Sequence, residues 1–130
     1  MSRVERAKDY FKQGFNCAQA VALAFAEDTR LSFEDIAKIM QPFGGGLGRL
    51  HLTCGAVSGM GAVVGLLYGK AEPEGKKETY AIVQDLCGKF KEKYGSLICA
   101  DLLKAGKHPC VELVATCVEI LEEYMESKGV

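Results

Sequence analysis

Six cysteines are the residues of this chain best equipped for chemistry: Cys17, Cys54, Cys87, Cys99, Cys110 and Cys117. As thiolates such groups bind metals, ligate iron–sulfur clusters or attack disulfides and peroxides. Compartment decides among the broad classes. The N-terminus, Met1-Ser2-Arg3-Val4-Glu5-Arg6-Ala7-Lys8-Asp9, is charged throughout and carries no apolar run or cleavage site of a signal peptide. We therefore expect a cytoplasmic chain, in which the cysteines are core thiols, ligands or redox groups rather than three disulfides. No C-x-x-C occurs, which removes thioredoxin-like sites, zinc ribbons and ferredoxin runs. Any shared site must be assembled from separate parts of the chain.

Those parts read as helices. Val4, Ala7 and Phe11 mark one face of a first helix, which Gly14 can end in a left-handed conformation. Asn16 caps a second, apolar helix over about residues 17–28. Ser32-Phe33-Glu34-Asp35 reads as a capping box, flanked by Leu31 and Ile36 as a hydrophobic staple, and Pro42 stops that third helix near Gln41. After the run Gly44-Gly45-Gly46-Leu47-Gly48, Thr53 is placed to cap a helix over residues 54–68. The turn Glu72-Pro73-Glu74-Gly75 leads into an amphipathic helix over about 77–94, with Tyr80, Val83, Cys87, Phe90 and Tyr94 on its apolar side and Gly95 at its end. Ser96 caps a short helix to Ala105, stopped by Gly106, and Pro109 opens the last helix. No stretch alternates as a strand does. The expectation is an all-α fold: one domain over residues 1–130, a bundle of about six to seven helices.

On this reading Cys17 and Cys54 are the first residues of their helices, Cys110 is second and Cys99 third, while Cys87 and Cys117 sit mid-helix on apolar faces. A helix start presents unpaired N–H groups and the positive end of the dipole, which stabilise a thiolate and lower its pKa. Four such starts converging would suit an anionic centre, for example a cluster with its four thiolates. Gly44, Gly45, Gly46, Gly48 and Gly55 would let backbone N–H groups approach the cluster sulfurs. The plainer reading of any one of these cysteines is a small hydrophobe that tolerates a helix start. His51 lies three residues before Cys54, and His108 two before Cys110. Each could complete mixed Cys/His coordination, or simply be a loop histidine that caps or meets solvent.

Other classes find little support. With 16 basic and 17 acidic residues the net charge is −1, which gives no general pull toward nucleic acid or anionic membrane. A composition 48% hydrophobic and 25% charged is that of a globular protein rather than a disordered one. Residues 50–69 lack Lys, Arg, Asp and Glu, and about 20 residues suffice to span a bilayer. That stretch nevertheless contains His51, Thr53, Ser58 and five glycines, so a core helix is expected and no membrane insertion. Gly61, Gly65 and Gly69 recur every fourth residue, as in closely packed helices. No G-x-G-x-x-G, P-loop, G-x-S-x-G or H-E-x-x-H occurs, and Lys89, Lys91 and Lys93 read as a solvated helix face.

Gly14-Phe15-Asn16-Cys17-Ala18-Gln19-Ala20-Val21, then Gly44-Gly45-Gly46 with Gly48-Arg49, then Cys54-Gly55-Ala56-Val57-Ser58-Gly59, resemble the C_GCAxxG_C_C family of redox proteins. The two later cysteines of the family match Cys99, in Gly95-Ser96-Leu97-Ile98-Cys99, and Cys110, in Cys110-Val111-Glu112-Leu113-Val114. The resemblance spans about residues 5–123. It implies a small helical redox-active protein, akin to the non-haem iron region of split-Soret cytochromes, where such cysteines are held to bind an iron–sulfur centre. It implies no haem, since C-x-x-C-H is absent. Two departures stand out. The segment from Cys99 to Cys110 is shorter than usual, and valine follows Cys110 where proline is common, so Cys117 is an alternative to Cys110.

Together these readings lead to a cytoplasmic redox protein in which Cys17, Cys54, Cys99 and Cys110 ligate an iron–sulfur cluster, 2Fe-2S or 4Fe-4S, and exchange electrons with a redox partner protein. One alternative is a thiol–disulfide or peroxide-reactive enzyme using a low-pKa Cys54 or Cys17. Another is a structural zinc site that holds the bundle together. A homodimer is an arrangement that the glycine-rich and amphipathic helices would allow.

Overall fold

The element that organises the chain is its most apolar short helix. In a computed structural model describing residues 1–104 and 108–128, every residue of Cys17–Leu23 is buried. It is the second of seven helices among the described residues. They are α1 (Arg3–Lys12), α2 (Cys17–Leu23), α3 (Phe33–Met40), α4 (Gly55–Tyr68), α5 (Lys76–Tyr94), α6 (Cys99–Lys104) and α7 (Cys110–Ser127). Three 3₁₀ turns, Ala26–Asp28, Gln41–Phe43 and Pro73–Gly75, help to join them. The described residues contain no strand, only an isolated antiparallel bridge between Thr53 and Ile98. The fold is all-α, as the periodicity predicts.

Helix α2 lies at the centre, against α1, α3, α4 and α7. Its N-terminus is closed by a full capping box: Asn16 Oδ1 accepts from Gln19 N at 2.9 Å, and Gln19 Oε1 accepts from Asn16 N at 2.9 Å. Gln19 is buried, and its Nε2 donates to the carbonyl of Ala37 in α3 at 2.8 Å. Asn16 Nδ2 donates to the Gln41 carbonyl at 2.9 Å. Two polar side chains of one sequence motif therefore cap α2 and tie it to the end of α3. Their donors and acceptors stay satisfied where unpaired groups would each cost about 1–3 kcal/mol.

The closest helix approach joins α2 to α4. A Cβ added at Gly59 would stand 2.6 Å from the Ala18 carbonyl oxygen and 3.1 Å from Val21 Cβ. One at Gly55 would collide with Cys17 Sγ and lie 2.9 Å from the Phe43 carbonyl oxygen. Glycine is required at both places by contact, since only its missing side chain lets the backbones come this near. The expected Gly61, Gly65 and Gly69 stripe does not do this. Gly61 and Gly65 face open space, and Gly69 meets only Gly65 of its own helix end. The period of four is present, but it makes no close backbone contact with a neighbouring helix.

Several boundaries differ from expectation for local reasons. Helix α2 ends at Leu23 rather than near residue 28, because the Thr29 hydroxyl and amide both donate to the Ala26 carbonyl and tighten the chain into a 3₁₀ turn. Ser32 accepts from Asp35 N at 3.1 Å, one half of the expected box. Thr53 does not cap α4. Cys54 takes the N-cap position, because Thr53 pairs with Ile98. On α5 the covered stripe runs through Ile82, Val83, Leu86 and Phe90, which leaves Tyr80 59% exposed rather than inside. The expected stop of α6 at Ala105 and Gly106 lies outside the described residues. Among the described residues no helix is long and apolar enough to cross a membrane.

The two kinds of glycine in α4 give opposite expectations for alanine. Gly59→Ala should overpack the α2–α4 contact and cost about 1–3 kcal/mol. Gly61→Ala, into open space, should gain up to about 1 kcal/mol in helix propensity. Thermal unfolding followed by circular dichroism, with chelator present, should show Gly59→Ala melting below the parent and Gly61→Ala at or above it. Equal melting temperatures for the two would contradict this packing.

Candidate thiol site

Each of the four helix-start cysteines is held by a local device. Cys17 is the first residue of α2, behind the Asn16 cap. Cys54 is the N-cap of α4, Cys99 opens α6, and Cys110 opens α7 directly after Pro109. Cys54 and Cys99 are brought together by backbone pairing of two short stretches. Cys54 N donates to the Leu97 carbonyl at 2.8 Å, Cys99 N to the Leu52 carbonyl at 2.6 Å, and Ala100 N to the His51 carbonyl at 3.1 Å. The close α2–α4 contact sets Cys17 Sγ against Gly55, the residue after Cys54.

The result is one shared space. Cys17, Cys54, Cys99 and Cys110 all border a cavity of about 80 Å³, with Gly45, Gly55, Leu102, Leu103 and Leu113 completing its walls. Cys17, Cys54 and Cys99 are buried, and Cys110 is half-buried. Cys117, the alternative to Cys110, is fully buried two turns further along α7 and does not border the cavity. Cys87 lies half-buried on α5, beside Met60 and Gly61 of α4. Among the described residues no three His, Cys, Asp or Glu side chains are drawn together closely enough to hold a metal ion.

The glycine run is a left-handed turn. Gly45, Gly46, Leu47, Gly48 and Arg49 have φ of 65°, 71°, 70°, 57° and 65°. Glycine adopts this conformation freely, whereas Leu47 and Arg49 each cost about 1–2 kcal/mol. Backbone bonds from Gly48 N to the Pro42 carbonyl (2.7 Å), His51 N to Gly45 (3.1 Å) and Leu52 N to Gly46 (2.9 Å) hold the turn. Those amides are spent inside the loop. Of the five glycines expected to approach the site, Gly45 and Gly55 border the cavity. Gly46 packs on Cys99, where a Cβ would stand 2.7 Å from Cys99 Cβ, and Gly44 packs on Asn16. Gly48 has left-handed φ and no close neighbour beyond the Pro42 carbonyl oxygen at 3.8 Å.

The electrostatics run against the sequence-based expectation of acidic thiols. Burial pushes the Cys54 thiol up from the ordinary 9.0 to about 11. The N–H groups of Val57 and Ala56 pull it down, and neighbouring Cys17 and Cys99 add to the rise. Burial also raises Cys99 and Cys110, with nearby thiols contributing. Desolvation outweighs the helix dipole here because a lone thiolate in an apolar cavity loses more hydration than a few amides return. Of the two histidines, His51 reaches the site, with Nδ1 3.5 Å from Cys99 Sγ. His108 turns to Glu112, 3.2 Å away, and stacks edge-on against Tyr94. His51 was legible as a residue near Cys54, but its contact with Cys99 spans the chain and leaves no trace in spacing.

A family model described as "Putative redox-active protein (C_GCAxxG_C_C)" matches residues 15–124 of the chain. No curated protein and no solved structure matches it.

The raised thiols make stability depend on pH in a defined direction. Between pH 9.0 and about 11 the unfolded chain loses the Cys54 proton while the folded chain keeps it. The folded state then binds more protons, so stability is full below 9.0 and falls as pH rises toward about 11. Urea unfolding of the metal-free protein should show a loss of about 2 kcal/mol across that window. Cys54→Ala should reduce this loss and leave the part owed to the raised Cys99 and Cys110 thiols.

Proposed function

The chain belongs to the C_GCAxxG_C_C family, and from that premise we propose that it is a small redox protein in which Cys17, Cys54, Cys99 and Cys110 ligate an iron–sulfur cluster for electron transfer. The observation that carries this reading is that four cysteines, each from a different helix start, border one cavity. Four thiolates are the usual donor set of both 2Fe-2S and 4Fe-4S centres, and such a centre supplies a one-electron couple. The donor set fits.

The electrostatics favour a cation-bearing group over a free nucleophile. A thiol held at about 11 is the reverse of what an attacking thiolate needs, which counts against a thiol–disulfide or peroxide enzyme built on Cys54. Buried thiols that repel one another as thiolates give up their protons together only when bound positive charge compensates them. Zinc could do this too, but a single zinc ion draws its sulfurs to ~2.3 Å of one point. Counts of iron, sulfide and zinc separate the two.

The remaining residues have roles that follow from their places. Helices α4 and α7, of 14 and 18 residues, present their positive ends to the cavity and offset part of the thiolate charge. Leu102, Leu103 and Leu113 keep water off the sulfurs. Gly45 and Gly55 leave space that side chains would fill.

Anaerobic purification followed by an absorption spectrum and counts of iron, sulfide and zinc tests the proposal. The parent should be brown, with iron and sulfide in similar amounts. Cys54→Ser and Cys110→Ser should lose most of both, while Cys87→Ser and Cys117→Ala should keep them. A colourless protein reconstituted with iron and sulfide under strict anaerobiosis, yet holding neither, would sink the reading. Zinc at one per chain would replace it with the structural alternative.

A further inference from the structure

His51 is held in a strained backbone conformation beside the thiol site. Its φ is 59°, in the left-handed region that a non-glycine residue enters rarely. Three backbone hydrogen bonds to two segments hold it there. Its amide donates to the Gly45 carbonyl at 3.1 Å, its carbonyl accepts from Ala100 N at 3.1 Å, and Leu52 N next to it donates to Gly46 at 2.9 Å. Backbone strain held in place by its surroundings concentrates at working sites. The backbone held this way joins the pairing that sets Cys99 beside Cys54, and its imidazole reaches Cys99, 48 positions away, with Nδ1 3.5 Å from Sγ. Among the described residues this sulfur is the imidazole's one hydrogen-bond partner.

We propose that His51 is the positioning residue of the thiol site, bonded through Nδ1 to the Cys99 sulfur and donating its Nδ1–H to that sulfur once it is a ligand thiolate. The part concerning the bound centre rests on the iron–sulfur reading above. A hydrogen bond to a ligand sulfur draws charge from it and favours the more negative, reduced state, so His51 raises the reduction potential. Of the four cysteines only Cys99 has such a side-chain partner among the described residues. His51 thus sets the site's potential from its exposed rim.

Two variants test this without straining the loop. Glycine and asparagine both tolerate φ near 59°. His51→Gly removes the donor, and His51→Asn retains an N–H. In the metal-free parent, the ¹⁵N resonance of His51 Nδ1 should move on Cys99→Ala and stay put on Cys87→Ala. An unchanged resonance in Cys99→Ala overturns the contact, whatever the protein binds. In the iron-loaded proteins, iron and sulfide counts should be equal in parent, His51→Gly and His51→Asn. The reduction equilibrium should shift about tenfold toward the oxidised form in His51→Gly, ~59 mV for one electron, with much of it restored in His51→Asn. Equal potentials in all three overturn the proposal. Loss of iron in His51→Asn would overturn it too, by making His51 a ligand. A parent that binds no iron fails the iron–sulfur reading alone, and the resonance then decides the His51 contact by itself.

Discussion

The near-contact of α2 and α4 is the constraint from which the rest follows. Two glycines on one face of α4, Gly55 and Gly59, bring its backbone against Ala18, Val21 and the Cys17 sulfur. With α2 buried along its whole length, little else can be adjusted at the centre of the bundle. The contact sets the N-terminal ends of both helices side by side, and so the two cysteines that begin them. Asn16 and Gln19 then fasten this pair to α3 and the Gln41–Phe43 turn. That attachment fixes where the glycine loop starts. Packing and site are thus one arrangement: the residues that let the helices touch are those that bring the thiols together.

The second pair of cysteines arrives differently. Cys99 comes by a few backbone hydrogen bonds between residues 51–54 and 97–100, a fragment of sheet geometry inside a helical protein. Cys110 comes through the start of the longest-range partner helix, α7, which packs on α1, α2, α4 and α5. Two sulfurs are therefore anchored by the rigid core, one by a loop pairing, and one by a helix that begins just after the segment following α6.

The strongest tension in the molecule is between its helix dipoles and its dryness. Helix starts favour thiolates, yet the same cavity removes the water that would solvate them, and removal wins. A thiol held as Cys54 is makes a poor nucleophile. The left-handed turn adds a second tension. Gly45, Gly46 and Gly48 make it cheap, but Leu47, Arg49 and His51 adopt it at a cost. Of those three, His51 has a side chain that bonds to a site thiol.

Much of this was legible in the amino-acid sequence. The helical period, the Asn16 and Ser32 caps and the punctuating Gly14, Pro42 and Gly95 follow from short-range backbone chemistry, which adjacent residues decide. For the same reason four cysteines could be seen to stand at helix starts. Periodicity could show that α4 is rich in glycine but not which glycines touch a neighbour, because both faces carry small residues. It could not show that Thr53 would pair with Ile98, that Tyr80 would stay outside, or that Cys110 rather than Cys117 would reach the cavity. Those outcomes depend on which partner each face meets. Nor could helix position reveal that Cys54, Cys99 and Cys110 would be less acidic than usual, since burial is a property of the assembled walls. Local chemistry determined the elements and their ends, and only the packed structure decided which sulfurs share a space and how dry that space is.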